Sequence, residues 1–186
     1  DINRLNEDSR GKYLGQFTGD EHILAVFKDG TYYTTTYDLS NRYQGELAFI
    51  EKMEPGKTFT AIYYDGQQKW FYVKRFSFDV SDNTPVSFIS SGKGSYLVDI
   101  SSDRHPQIEV TFGGKYGHRM PEIIDAEEFI GKKGLQAKGK KASQYDIKSV
   151  RFIEPLHKPE DDAVAEPSEP EIQEETGAEE SDPTLF

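Results

Sequence analysis

An all-β fold, built as a propeller-like repeat of short antiparallel hairpins and followed by an acidic tail, is the class that this 186-residue sequence predicts. Three observations predict it. The chain is only 35% hydrophobic yet carries 11 Tyr and 12 Phe, a balance that favours pleated strands over helices. Strand-like runs separated by turn residues recur at intervals of roughly 20–40 residues, as they do in propeller blades. The charge is also divided. Of 33 Asp and Glu, eleven lie in residues 159–186, where there is no Lys or Arg, which leaves 22 in residues 1–158 against all 22 Lys and Arg. The body is therefore formally neutral, and the tail carries the whole net charge of -11. An ordinary β-sandwich or barrel fits the same strand signals.

The elements follow in order. The chain opens on "DINRLNEDSR", with neither Met nor a signal-peptide pattern, so residues 1–12 read as a lead-in from a preceding domain of a longer or processed protein. In "HILAVFKDGTYYTTTYD" two alternating runs flank Asp29-Gly30. In "FTAIYYDGQQKWFYVKRFSF" the plan repeats around Asp65-Gly66. Asp-Gly suits a two-residue type I′ turn. That turn would set Lys28 opposite Thr31, Val26 opposite Tyr33 and Ala61 opposite Trp70. A third hairpin is expected in "PVSFISSGKGSYLVDIS", turning near Gly92 and Gly94, and a fourth in "HPQIEVTFGGKYGHRMPEIID", turning near Gly113-Gly114. "DAEEFIG" reads as one helical turn, with Asp125 as N-cap and Gly131 past its end. "SVRFIEPL" closes the body, which spans 13–157. Residues 158–186 are rich in Pro, Glu and Ser, have almost nothing to bury, and are expected to be disordered. Such a tail either solubilises the chain or mimics a nucleic acid on a basic surface.

Several functions are disfavoured. Without Cys there is no disulfide framework and no thiolate metal site. No apolar run approaches the ~20 residues of a membrane-spanning helix. There is no G-x-S-x-G and no phosphate-cradling G-x-x-x-x-G-K-[ST]. His22, His105, His118 and His157 are scattered without metal-ligand spacing. Binding rather than chemistry is expected, with no metal and no cofactor in this stretch.

The sharpest local feature is "KKGLQAKGKKASQYD", with five lysines and two glycines. From Lys132 to Arg151 the basic residues are Lys132, Lys133, Lys138, Lys140, Lys141, Lys148 and Arg151, opposed only by Asp146. Gly134 and Gly139 interleave with them. Lysine supplies charge without base specificity, and glycine permits close backbone approach, so the segment suits a phosphate backbone. Lys74, Arg75, Lys115 and Arg119, together with Lys93 and Arg104, extend the candidate path. A solvated lysine loop without a ligand, or a protein-interaction propeller with an acidic regulatory tail, accounts for the same residues.

The ordered series "GKYLGQFTGDEHILAVFKDGTYYTTTYDLSNRYQGE", "FTAIYYDGQQKWFYVKRFSF", "EEFIGKKGLQAKGKKAS" and "RFIEPL" resembles the C-terminal region of bacterial type IIA topoisomerase A subunits over roughly 10–156. The resemblance is nearer to topoisomerase IV, with DNA gyrase as a relative. It implies a β-pinwheel of four-stranded blades, here a partial one, whose basic rim binds and bends duplex DNA without reading sequence. Gly134, Lys138, Gly139, Lys140 and Lys141 fall where a degenerate form of gyrase's glycine- and lysine-rich box would lie. The Arg-Gly-Gly portion of that box has no match, which favours decatenation over supercoiling. The resemblance further implies an ATP- and Mg2+-dependent holoenzyme containing an A-subunit dimer and B subunits. It also implies a cytoplasmic, nucleoid-associated location with no membrane partner. The family's catalytic Tyr has no counterpart in this stretch.

Overall fold

The computed structural model describes residues 1–163. It bears out the all-β class, with thirteen strands and only short helices among the described residues. A lone strand, β1 (Ile2–Arg4), comes first. Three repeats follow: β2 (Ile23–Phe27), β3 (Thr31–Thr35), β4 (Arg42–Gln44) and β5 (Leu47–Lys52); β6 (Phe59–Asp65), β7 (Trp70–Phe76), β8 (Val86–Ser87) and β9 (Tyr96–Ser101); β10 (Gln107–Phe112), β11 (Glu122–Asp125), β12 (Lys140–Lys141) and β13 (Ile147–Ile153). A helical turn, α1 (Ala126–Phe129), stands between β11 and β12.

One rule generates every pairing. In each repeat the first two strands form an antiparallel pair, and the fourth returns to the free edge of the first. The third strand leaves its own repeat and pairs with the second strand of the repeat before: β8 on β3 and β12 on β7. Likewise β4 pairs with β1, which stands in the place of a preceding second strand. The sheets are thus β5-β2-β3-β8, β9-β6-β7-β12 and β13-β10-β11. The expected propeller-like repeat is present in a strand-exchanged form.

The exchange corrects one expected hairpin. β8 and β9 do not pair with each other, because they serve different sheets. The turn geometry of two others also differs from expectation. Val26 faces Tyr32, not Tyr33, because the connection holds three residues, Lys28 to Gly30. Gly30 N–H donates to Phe27 O, and only Gly30 has a positive φ, at 83°. That is a type I turn closed by a left-handed residue, not a type I′ turn. In the second hairpin Ala61 faces Lys74 instead of Trp70. Asp65 spends its carboxylate on the Gln67 and Gln68 N–H groups, and Lys69 takes the left-handed position at φ 57°. In both cases the Asp carboxylate accepts from N–H groups that follow it, Thr31 after Asp29 and Gln67 and Gln68 after Asp65, and the tight two-residue geometry is lost. The turn at α1 forms as expected, with Asp125 accepting from the N–H groups of Glu127 and Glu128.

Alternation along the strands stacks the sheets. Leu24 and Val26 point one way, toward Phe59, Ala61 and Phe76 of the second sheet. Ile23, Ala25 and Phe27 point the other way, toward Leu5, Leu14 and Phe17 of the lead-in segment. Both faces of β2 are therefore covered, and all five of its residues are buried. Ile62 and Val73 face the third sheet, with Ile108, Val110 and Ile124. Phe78 lies at the centre of the first inter-sheet core, 4.6–5.2 Å from the rings of Tyr32, Phe59, Phe76 and Phe88. Burying one such ring stabilises the fold by ~1.5–3 kcal/mol.

From Leu156 the chain passes to a second unit, which starts at His157 and holds a short helix, α2 (Pro159–Ala163). The stretch expected to be disordered, 158–186, thus begins with a helical turn, and its residues 164–186 lie outside the described residues.

Gly66 fixes how the β6–β7 turn meets the β8–β9 loop. A Cβ there would stand 2.2 Å from Lys93 O and 2.4 Å from the Gly94 carbonyl carbon, both backbone atoms. Gly66→Ala is expected to cost about 1–3 kcal/mol, read as a lowered urea midpoint with an unchanged slope.

Candidate nucleic-acid interface

The lysine-rich stretch is not a free loop. It straps the edge of β7 in two passes, with an apolar residue at each turn of the strap. Ile130 is buried in the core between the second and third sheets. The chain then bridges Arg75 in parallel at Lys132, and Lys133 N–H donates to Arg75 O at 2.9 Å. It crosses to the other face, where Leu135 packs on the first core. A turn over Gly134–Ala137 reverses it. It returns as β12, with Lys140 opposite Val73 and Lys141 opposite Tyr72, and Ala142 drops back into the second core.

Gly139 makes the return possible. Its N–H donates to Tyr63 Oη at 3.0 Å, and a Cβ would lie 2.7 Å from Val73 O. A Cβ at Gly134 would meet nothing within 4 Å. Of the two glycines in the stretch, one is needed for approach to the protein's own sheet and the other lies in the open.

The ammonium groups are held by rings and carbonyls. Lys138 stands over Tyr72 at 4.9 Å, Lys140 over Phe129 at 4.2 Å, and Lys141 over Trp70 at 3.0 Å. Lys140 also donates to Phe129 O, and Lys132 to Gly56 O. A ring face attracts the cation without neutralising it. Several cations elsewhere in the body are matched by carboxylates, as in Lys28–Glu46, Lys52–Glu21 and Lys57–Glu51. No ion pair among the described residues involves Lys132, Lys133, Lys138, Lys140, Lys141 or Lys148. The stretch therefore gathers six unneutralised lysines within 17 residues, the densest positive charge of the body. Lys138 acts on its own surroundings too. Burial works against the Asp65 charge, but hydrogen bonds from Gln68 and Gln67, with Lys138 nearby, hold that carboxyl below its usual range.

The remaining sequence candidates divide. Arg151 is exposed but ion-paired across the sheet to Glu109 at 2.8 Å. Arg119 lies 3.8 Å over Tyr145, at the end of the lysine-rich stretch, and pairs with Glu122 at 3.0 Å. Lys115 sits over Tyr116 on the turn preceding Arg119. That turn is tied to the stretch because Gly113 N–H donates to Asp146 O. Lys93 is exposed on the β8–β9 loop and Arg104 on the β9–β10 connection, each away from the strap in sequence. Arg75 is only 11% exposed and lies 3.9 Å from Glu127.

Lys74 is the clear departure from expectation. It is buried, at 4% exposure, and cannot reach a ligand at the surface. Its Nζ donates to Phe88 O at 2.7 Å and to Leu135 O at 2.6 Å, with the Phe76 ring 4.8 Å away. It ties the strap to the end of β8 from inside. Sequence reasoning also missed Tyr63, Tyr72, Trp70 and Phe129 as the props of the lysines. The available signal was the chain's one Trp alternating with Tyr72 on a strand whose edge had no partner nearby in sequence.

A family model described as the topoisomerase C-terminal domain of Bacteroidota matches residues 4–154. No curated protein matches the chain. Among solved structures, a crystal structure of the C-terminal domain of DNA topoisomerase IV is similar, with 14% identity and a TM-score of 0.48. The match covers 75% of this chain and 48% of that one, so this chain spans about half of that structure's length.

Burial pushes the Lys74 ammonium from its ordinary 10.5 down to about 8. Between those values the unfolded chain holds a proton that the folded chain has released, so stability rises with pH through this window. The neutral amine keeps two N–H bonds for its two carbonyls. Burial raises the Tyr32, Tyr43 and Tyr63 hydroxyls, so above pH 10 their ionisation in the unfolded chain works the other way. The Lys74 contribution between pH 7.5 and 9.5 is expected to be about 2 kcal/mol. Urea unfolding at the two pH values measures it, and Lys74→Met should abolish the rise.

Proposed function

The chain belongs to the bacterial topoisomerase C-terminal domain family, and from that premise we propose that it binds and bends duplex DNA without reading sequence, in support of a type II topoisomerase. One observation carries the proposal: among the described residues, six lysines from Lys132 to Lys148 stand without a carboxylate partner on a body whose net charge is zero. Lysine ammoniums propped on rings are point charges that suit phosphate oxygens and carry no base code. A polyanion is the partner that such an arrangement selects, and the nearby arginine forks of Arg119 and Arg151 are engaged by Glu122 and Glu109 instead of being free to read bases. Lys132, Lys133, Gly134, Lys138, Lys140, Lys141 and Lys148 form the contact, Gly139 seats the return strand beneath them, and Arg119 and Lys115 continue the contact past Tyr145. Arg151 contributes less, because Glu109 already holds it. Lys74 and Arg75 act from beneath, the first through Leu135 O and the second through its own carbonyl to Lys133.

The fragment supplies binding, and breakage, reunion and ATP turnover belong to the rest of the holoenzyme. We place it with decatenation or relaxation rather than wrapping, since the stretch lacks an Arg-Gly-Gly segment.

Fluorescence anisotropy with labelled duplex DNA tests the reading. If about six phosphates are neutralised, log K should fall with log salt at a slope of roughly -5. Replacing Lys138, Lys140 and Lys141 together by Ala should flatten that slope by about 3 and weaken all sequences alike. Binding that is indifferent to salt, or to the triple substitution, would reject it.

A further inference from the structure

Each sheet of the repeat has one position for an extended strand from outside its own repeat. On β3 it holds β8, and on β7 it holds β12. The third position, on β11, is open: among the described residues β11 pairs with β10 alone. We propose that this edge, Glu122–Asp125, docks an extended segment of a partner protein as an added antiparallel strand. The segment has basic residues toward its N-terminal end, alternating apolar residues in the middle, and acidic residues toward its C-terminal end.

The backbone argument comes from the two filled positions. Both occupants run antiparallel to the strand they cover, and both are two residues long. Each sends an apolar side chain inward beside the pairing: Phe88 after β8 and Ala142 after β12. The same unpaired N–H and C=O groups on β11 are a template for strand addition. Side chains agree. Met120 is 81% exposed and Ile123 is 52% exposed, although both are large and apolar, and both border the open edge. Ile124 already faces the core, so an occupant's apolar residues have Ile123 and Met120 to cover.

Charge sets the direction. Exposed Lys115 and His118 precede the strand, and exposed Glu128 follows it. Arg119 and Asp125 are engaged, the first with Glu122 and the second as the α1 cap. An antiparallel occupant brings its C-terminal end to Lys115 and His118, where carboxylates fit, and its N-terminal end to Glu128, where a cation fits. The same polarity disfavours duplex DNA, whose uniform negative charge would meet Glu128. A second copy of the chain is disfavoured by size, since a stable dimer needs about 800 Å² per partner and a four-residue edge provides far less.

The test uses the full 186-residue chain, isotopically labelled, with two synthetic peptides. One reads Lys-Lys-Val-Ser-Val-Asp-Asp and the other Asp-Asp-Val-Ser-Val-Lys-Lys. In an NMR titration the first peptide should shift amides of residues 119–125 and slow their hydrogen exchange. The charge-inverted peptide should bind about tenfold more weakly at low salt. Ile123→Ser should weaken binding of the first peptide about tenfold while the β10 and β13 amide pattern and DNA affinity, which depends on cations, stay unchanged. Equal affinity for the two peptides, shifts centred on residues 132–141, binding of the first peptide unaffected by Ile123→Ser, or no binding at millimolar peptide would each overturn the proposal.

Discussion

The outer edges of β3 and β7, the second strands of the first two hairpins, are hydrogen-bonded to partners that their own repeats do not supply. That dependence organises the molecule. It pulls β8 out of its own repeat onto β3, and β12 onto β7. The crossing segments must then be long enough to leave one sheet and return to another, so the chain between strands becomes a strap across a sheet edge. The lysine-rich stretch is such a strap.

This explains a combination that is otherwise odd. A segment with five lysines in fifteen residues would repel itself in isolation. Here Ile130, Leu135 and Ala142 anchor it at three points, and the lysines between them fall over Tyr72, Phe129 and Trp70. The rings keep each ammonium in place without cancelling it. Beneath the strap Lys74 replaces what would be a plain apolar side chain, and gives the Phe88 and Leu135 carbonyls a donor that the strand ladder cannot. Burial of that cation is unfavourable in itself, which is why its ammonium holds its proton less firmly than an exposed lysine.

Much of the fold was legible in the residues. β2 and β3, β6 and β7, β10 and β11, and the Asp125 cap all stand where alternation and turn chemistry set them. What was not legible has a common physical cause. Alternation reports which way a side chain faces, not which strand lies alongside. β8 and β12 are two residues each, too short for any period, and their partners lie far back in the chain. The hairpin registers were missed because Asp29 and Asp65 bond to turn N–H groups, a choice that the Asp-Gly pair alone does not reveal. In the site, the lysines were found by count. The burial of Lys74 was not, since a lysine between Val73 and Phe76 on an alternating strand looks the same whether its face meets water or another sheet.

Strand exchange also orders events in time. β7 leaves the ribosome with its edge bare, and the strand that covers it is made about 70 residues later, a delay of several seconds at typical bacterial synthesis rates. For that interval Trp70, Tyr72 and the row of open carbonyls beside them are available to any neighbouring nascent chain. The first two repeats therefore lock in series, each sealed by the birth of its successor, and a chain stalled before β12 is left with the second sheet unsealed.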